Sequence, residues 1–258
     1  QRFLRGPVYR ALREDGQLGT GPQDILRPGG PTALAALRWI HFPETWEDIA
    51  KARSRFVFEE YFYFATQLHF RRLRARQAMR EGFSITEEFN AKIRSIFPFR
   101  FTPEQDRVVS EIARDLKAAH PMYRLLQGDV GTGKTAVALY AMLVAVRNRH
   151  QAALMAPTEI LAEQHYRTIS RYLSRHPVRL GLLTSSVKGT ERKKLLEDLS
   201  AGKVHVIVGT HALLQPQVSF KKLGLIVIDE QHRFGVKERM RLRCKGEHPH
   251  ILVMTATP

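Results

Sequence analysis

Cysteine is almost missing: Cys244 is the single thiol in 258 residues. One thiol closes no internal disulfide and builds no zinc cluster, so a reducing compartment is expected. Long apolar runs are missing too. The longest, Ala136–Val146, stops at Arg147, well short of the ~20 residues that span a bilayer, so a soluble chain is expected. The opening, Gln1–Asp15, has no apolar signal core and no initiating Met, and it reads as the interior of a longer protein. Neither repeats nor low-complexity tracts occur. Acidic residues are in deficit, 25 Asp and Glu against 41 Lys and Arg, for a formal net charge of +16. No basic tail accounts for the excess, which favours polyanionic partners (nucleic acid, anionic membrane or nucleotides) and says nothing about fold. With 43% hydrophobic residues the chain can bury a core, and its length allows one large domain, or one domain with an appendage.

Residues 6–31 are rich in Gly and Pro and read as a connector. A helix is expected from Thr45, which can cap it with Asp48, and Val57, Tyr61, Phe64 and Leu68 share one of its faces. The aromatic cluster Phe56–Phe64 suggests packing on a neighbouring domain, with base stacking as the alternative. Arg71, Arg72, Arg74, Arg76 and Arg80 follow on the same presumed helix, either as a solvated face or as phosphate contacts. A second unit is expected from near Phe97. Thr102, Pro103 and Gln105 suit the N-cap, first turn and capping-box partner of a helix that ends before Pro121. Beyond it, apolar runs at 124–127, 152–156, 178–183, 204–208, 223–228 and 251–254 alternate with helical stretches at about 134–149, 159–174 and 189–200. Continuous apolar strands alternating with helices argue for a parallel sheet with both faces covered.

Gly128-Asp129-Val130-Gly131-Thr132-Gly133-Lys134-Thr135 fits G-x-x-x-x-G-K-[ST] between an expected strand and an expected helix. The chemistry needs these types. Glycines let backbone amides approach a polyphosphate at the helix N-terminus, Lys134 reaches the outer phosphates, and the Thr135 hydroxyl ligates Mg²⁺. Such a loop works with a carboxylate site at the end of another strand, and Leu225–Ile228 followed by Asp229-Glu230 supplies one. Asp229 is expected to hold Mg²⁺ through its water shell, and Glu230 to polarise the hydrolytic water.

Asp229-Glu230-Gln231-His232 with Arg233-Phe234-Gly235-Val236 resembles the DEQH box of the RecG family of bacterial ATP-dependent DNA helicases, superfamily 2 motors that remodel forks and other branched DNA. The resemblance continues over nearly the whole chain. It takes in the P-loop as motif I, Ala156–His165 as motif Ia, Gly209–Gln215 as motif Ib and Met254–Pro258 as motif III. Pro98 to Gln105 is similar to the segment that carries an adenine-sensing glutamine, and Ile40–Pro43 to the stretch leading out of the family's wedge domain.

The resemblance implies a three-layer RecA-like α/β lobe with a mainly parallel sheet over 96–258, preceded by a helical linker over 1–95. ATP and Mg²⁺ are the implied cofactors, branched or forked DNA the substrate, and a bacterial cytoplasm the location of a monomer. It gives Gln105 an adenine contact and makes Lys134, Asp229, Glu230 and His232 catalytic, with His232 coupling the nucleotide site to Thr255 and Thr257. Thr158, Glu159, Thr210 and His211 become DNA contacts. Ser185, in Leu183–Ser186, departs from the glycine of the family pattern. The resemblance also implies that a second lobe with arginine fingers, and the wedge itself, belong to the same full-length protein. Three other readings are a transcription-repair coupling or primosomal translocase, a non-catalytic DNA-binding module, and an ATP switch acting on a protein partner.

Overall fold

Val206, Val208, Leu225, Val227, Leu252 and Met254 point into one hydrophobic layer, while their neighbours Ile207, Ile226, Ile228, Ile251 and Val253 point into another. This alternation is the period-2 signature of strands covered on both faces. The computed structural model describes residues 29–77, 80–230 and 236–256, and the backbone alone in 71–77 and 236–239. Six strands form one sheet: β1 (Tyr123–Gln127), β2 (Gln151–Met155), β3 (Leu180–Leu183), β4 (Val206–Gly209), β5 (Leu223–Asp229) and β6 (His250–Thr255). Their order is β1-β6-β5-β2-β4-β3 and every pairing is parallel. The helices are α1 (Ala33–His41), α2 (Trp46–Gln77), α3 (Glu87–Arg94), α4 (Pro103–Lys117), α5 (Lys134–Arg147), α6 (Glu159–Leu173), α7 (Gly189–Ser200) and α8 (Val236–Arg243), with a 3₁₀ turn at His211–Leu214. The sheet with flanking helices is the expected three-layer α/β lobe.

The chain divides into two compact units, Gln1–Arg74 and Ala75–Pro258. In the first, Thr45 and Asp48 exchange the two bonds of a capping box at the start of α2: Thr45 N–H donates to Asp48 Oδ2 (2.9 Å) and Asp48 N–H to Thr45 Oγ1 (3.2 Å). Arg55 reaches back from α2 to the Pro31 carbonyl (2.5 Å) and sideways to Glu59 (2.7 Å), which ties the start of α1 to α2. Tyr61 and Phe64 are 69% and 59% exposed. The face read as packed on a neighbour is therefore exposed among the described residues.

The second unit begins earlier than the residue near 96 that the motifs suggest. Phe83, Ile85 and Ile93 are buried in the same core as Val109, Ile112 and the apolar face of the sheet, so the stretch from Ala75 to Ile96 belongs with the lobe. α3, capped by the Thr86 side chain, is part of it. Arg80 is a half-buried side chain held by the protein's own carbonyls. Its guanidinium donates to the carbonyls of His248 (2.9 Å) and Gly224 (3.4 Å) and covers the Phe83 ring. The side chains of Arg71, Arg72, Arg74 and Arg76 lie outside the described residues.

The apolar run Ala136–Val146 is α5, buried from Ala136 to Ala145 between α4 and the sheet. Among the described residues no helix is long and apolar enough to cross a membrane. Arg124 of β1 binds Asp115 (2.7 Å) and Glu111 (2.6 Å) of α4. These half-exposed pairs are worth only about 0.2–1 kcal/mol each, but they fix α4, whose first turn carries Gln105, against the strand that leads into the glycine loop.

Candidate functional site

In open parallel α/β sheets ligands bind beyond the carboxyl ends of the strands. Here those ends carry Gly128 after β1, Thr158 after β2, Thr184 after β3, Thr210 after β4, Glu230 after β5 and Ala256 after β6. The loop from Gly128 to Gly133 turns the chain from β1 into α5 through Gly131 (φ +84°) and Gly133 (φ +80°), in the left-handed region that costs an L side chain energy. Lys134 folds over the loop, with Nζ donating to the carbonyls of Gly128 (2.6 Å) and Asp129 (2.9 Å).

Gln105 does two things at once. Its backbone N–H and side-chain Oε1 complete the capping box with Thr102, and its Nε2 donates to the Thr132 carbonyl in the loop (2.8 Å). A cavity of about 210 Å³ beside it is lined by Gln105, Val108, Leu126, Gly128, Thr132 and Val137 among others. A Cβ on Gly133 would lie 2.5 Å from Gln105 Nε2, on top of the conformational strain. Strain of about 1–3 kcal/mol at such a position predicts that Gly133→Ala destabilises the fold by about that amount, read as a lowered midpoint of urea denaturation.

Asp229 closes β5 and is 8% exposed. Its Oδ2 lies 2.7 Å from Nε2 of His165 on α6. A carboxylate only accepts, so Nε2 carries the proton. Glu230 turns the chain sharply with φ +50°, a conformation that non-glycine residues rarely adopt. Its partners sit on the neighbouring strand. Glu230 N–H donates to the Met254 carbonyl (2.9 Å), and its carboxylate accepts from Ala256 N–H (3.3 Å) and the Thr255 hydroxyl (3.4 Å). The Thr255 carbonyl in turn accepts Gly128 N–H (3.3 Å). Because β6 lies between β1 and β5, its last residues touch both the glycine loop and the acidic pair. His232 and Thr257 lie outside the described residues.

On the far half of the sheet the Thr158 side chain caps α6 by accepting Leu161 N–H (3.3 Å). The Glu159 carboxylate accepts Ser185 N–H (2.9 Å). Ser185 is not among the residues with positive φ, and what it supplies to Glu159 is a backbone group, so neither feature requires a glycine there. Thr210 is 6% exposed, whereas His211 beside it is exposed. Sequence reasoning assigned no role to His165, although it stands in the motif-Ia segment. The signal available was its position seven residues after the cap, two helical turns along the face that starts at Thr158.

The DEAD/DEAH box helicase family model matches residues 102–258. Among curated proteins, the ATP-dependent DNA helicase RecG of Synechocystis sp. is 48% identical over 224 residues, covering 86% of this chain and 27% of that protein. RecG of Bacillus subtilis is 49% identical over 231 residues, 88% of this chain and 34% of that protein. The solved structure of RecG bound to a three-way DNA junction is similar over 94% of this chain and 33% of that one, with 37% identity and a TM-score of 0.79. The chain thus spans about a quarter to a third of the length of these relatives. A family match over the whole six-stranded sheet, glycine loop and acidic pair included, places this chain in the DEAD/DEAH box helicase family.

Proposed function

We propose that this lobe binds Mg-ATP on the glycine loop and that the intact protein uses ATP hydrolysis to remodel branched DNA, forks and Holliday junctions included, in recombination and repair. The observation that carries the reading is the end of β6, which bonds to Gly128 of the loop and to the carboxylate of Glu230 together. A change at the outer phosphates is thereby felt at the group that would activate water, and at Thr255, from which the family transmits nucleotide state to DNA. Lys134 would exchange its two carbonyl acceptors for phosphate oxygens, a stronger, charge-assisted pairing. Gln105 would read adenine at the neighbouring cavity while keeping its cap.

Mg²⁺ fits the donor set. Among the described residues no cluster of three or more His, Cys, Asp or Glu could hold a metal by itself. Mg²⁺ asks for less, one or two protein oxygens plus phosphates and water; the Thr135 hydroxyl would be the direct protein ligand, and the Asp229 carboxylate would hold the ion through its water shell. When bound, it would neutralise charge developing on the transferred phosphoryl group. Thr158, Glu159, Thr210 and His211 stand on the edge where DNA would lie. The buried Thr210 side chain, the engaged Glu159 carboxylate and the Thr158 hydroxyl that caps α6 favour roles in shaping the loops, and the phosphates would be met by the exposed His211 and by backbone amides. Contacts of this kind are salt-sensitive and independent of base sequence.

The second lobe and wedge of the intact protein would supply arginine fingers and fork recognition, and such fingers contribute about 10³ to 10⁵ in rate. The isolated chain is therefore expected to bind a fluorescent ATP analogue, to lose that binding in Lys134→Ala, and to show little ATP turnover at low salt with or without forked DNA. Binding unaffected by Lys134→Ala would sink the nucleotide reading. Fork-stimulated turnover by the chain alone would sink its incompleteness.

A further inference from the structure

His165 belongs to α6, the helix that follows β2, yet it meets the last residue of β5, two strands that lie side by side in the sheet. Its side chain and that of Asp229 are only 12% and 11% exposed. The 2.7 Å contact therefore forms in a partly desolvated setting, where a charge-assisted hydrogen bond holds its geometry. Asp229 Oδ2 is taken by this bond, and among the described residues Oδ1 accepts no hydrogen bond. One carboxylate oxygen is fixed by the protein and the other is left for a ligand, the arrangement in which an outer partner orients a metal-binding group.

We propose that His165 is the positioning residue of the metal site: through Nε2–H it fixes the rotation of the Asp229 carboxylate so that Oδ1 addresses the Mg²⁺ water shell. The proposal rests on the Mg-ATP reading above. It explains why a histidine occupies the inner face of α6, where an apolar side chain would pack as well against Asp229's neighbours but would leave a buried carboxylate oxygen unpaired. It also makes α6 a single lever, because the helix is capped by Thr158 at the proposed DNA edge and carries the metal carboxylate's partner two turns later.

The test compares the intact protein with His165→Leu, which removes the donor, and His165→Gln, whose amide Nε2–H can replace it. Two quantities are read. One is the affinity for a fluorescent ATP analogue with Mg²⁺ and with EDTA; the other is the binding of Mn²⁺ in the presence of ADP, followed by electron paramagnetic resonance. Loss of an outer partner typically costs 10–100-fold in metal affinity. His165→Leu is accordingly expected to weaken Mn²⁺ binding by about that factor, to leave affinity in EDTA within about twofold, and to be largely restored in His165→Gln. Unchanged metal affinity in His165→Leu overturns the proposal, and so does equal loss in both variants, which would mean that the site needs the imidazole's shape and not its donor. Should His165→Leu fail to fold, the comparison of His165→Gln with the parent still decides, since a retained donor must keep metal affinity within a few-fold. An intact parent protein whose ATP affinity is the same with Mg²⁺ and EDTA, and which binds no Mn²⁺, overturns the Mg-ATP reading itself, a pattern distinct from any produced by the variants alone.

Discussion

Replacing Glu230 by Gln in the intact protein is expected to reduce steady-state ATP turnover by about 10²- to 10⁴-fold, the range that a positioned general base contributes, with ATP affinity within a few-fold of the parent. The substitution is close to isosteric. The amide oxygen of Gln can still accept Ala256 N–H, and the Thr255 hydroxyl, which donates to the carboxylate in the parent, can rotate to accept from the new amide nitrogen. Folding should therefore be spared, and the loss should fall on kcat rather than KM. The opposite pattern, a raised KM at unchanged kcat, would mean that Glu230 binds substrate and does not act in the transition state. Glu230→Ala should be worse for stability than Glu230→Gln, because it leaves the Ala256 amide without its acceptor while keeping the strained φ of +50°.

The second large effect lies at the other end of β6, far from the chemistry. His250 is fully buried, accepts Met122 N–H on Nδ1 (2.9 Å) and packs edge-on against the Phe83 ring, with centroids 4.8 Å apart. Burial, reinforced by the positive charge of Arg80 and the neighbouring His150 and His120, pushes its pKa down from 6.5 to about 3. The folded protein keeps this ring neutral while the unfolded chain takes up a proton below pH 6.5. Its contribution is thus complete above pH 6.5 and is lost as pH falls from there towards 3, at up to roughly 1.4 kcal/mol per pH unit. His150, lowered mainly by burial, acts in the same direction. Urea denaturation of the parent and of His250→Asn between pH 7 and pH 4.5 should show a clearly shallower loss in the variant, which keeps an acceptor for Met122 N–H but does not titrate. Parallel pH profiles would show that other groups govern the acid limb.

Local chemistry was readable from the sequence wherever it is local. The Thr45–Asp48 and Thr102–Gln105 capping boxes, the glycine loop between strand and helix, the strands that are apolar on both faces and the acidic pair at the end of β5 all depend on residues within a few positions of one another. What escaped depends on which strands are neighbours. Nothing in the run His250–Thr255 says that it inserts between β1 and β5, and without that order neither Thr255's bond to Gly128 nor Ala256's bond to Glu230 can be anticipated. The His165–Asp229 bond is hidden for the same reason, since it joins residues 64 apart in the chain. The lobe's early start was obscured by composition. Phe83 and Ile85 are isolated apolar residues among polar neighbours, and they read as linker until Arg80, His150 and His250 are seen around Phe83. Arg80 illustrates the converse error, because a cation in a basic run looks solvated until its carbonyl acceptors are found.

The position of β1 also has a bearing on how the protein is made. Among the described residues β1 stands at an edge of the sheet and pairs with β6 alone, Tyr123 opposite Ile251 and Gln127 opposite Thr255. The pairings of β2 with β4 and β5, and of β3 with β4, can form before β6 leaves the ribosome, whereas β1 and β5 both pair with β6. Of the six strands of this sheet, the one that feeds the glycine loop is synthesised first and has to wait for the sixth. Such a long-range closure carries a high entropic cost and is slow to form. Until it forms, the loop is not anchored to Thr255 and Glu230 lacks its partners on β6. A nascent lobe therefore joins its glycine loop to its acidic pair only when β6 takes its place between β1 and β5.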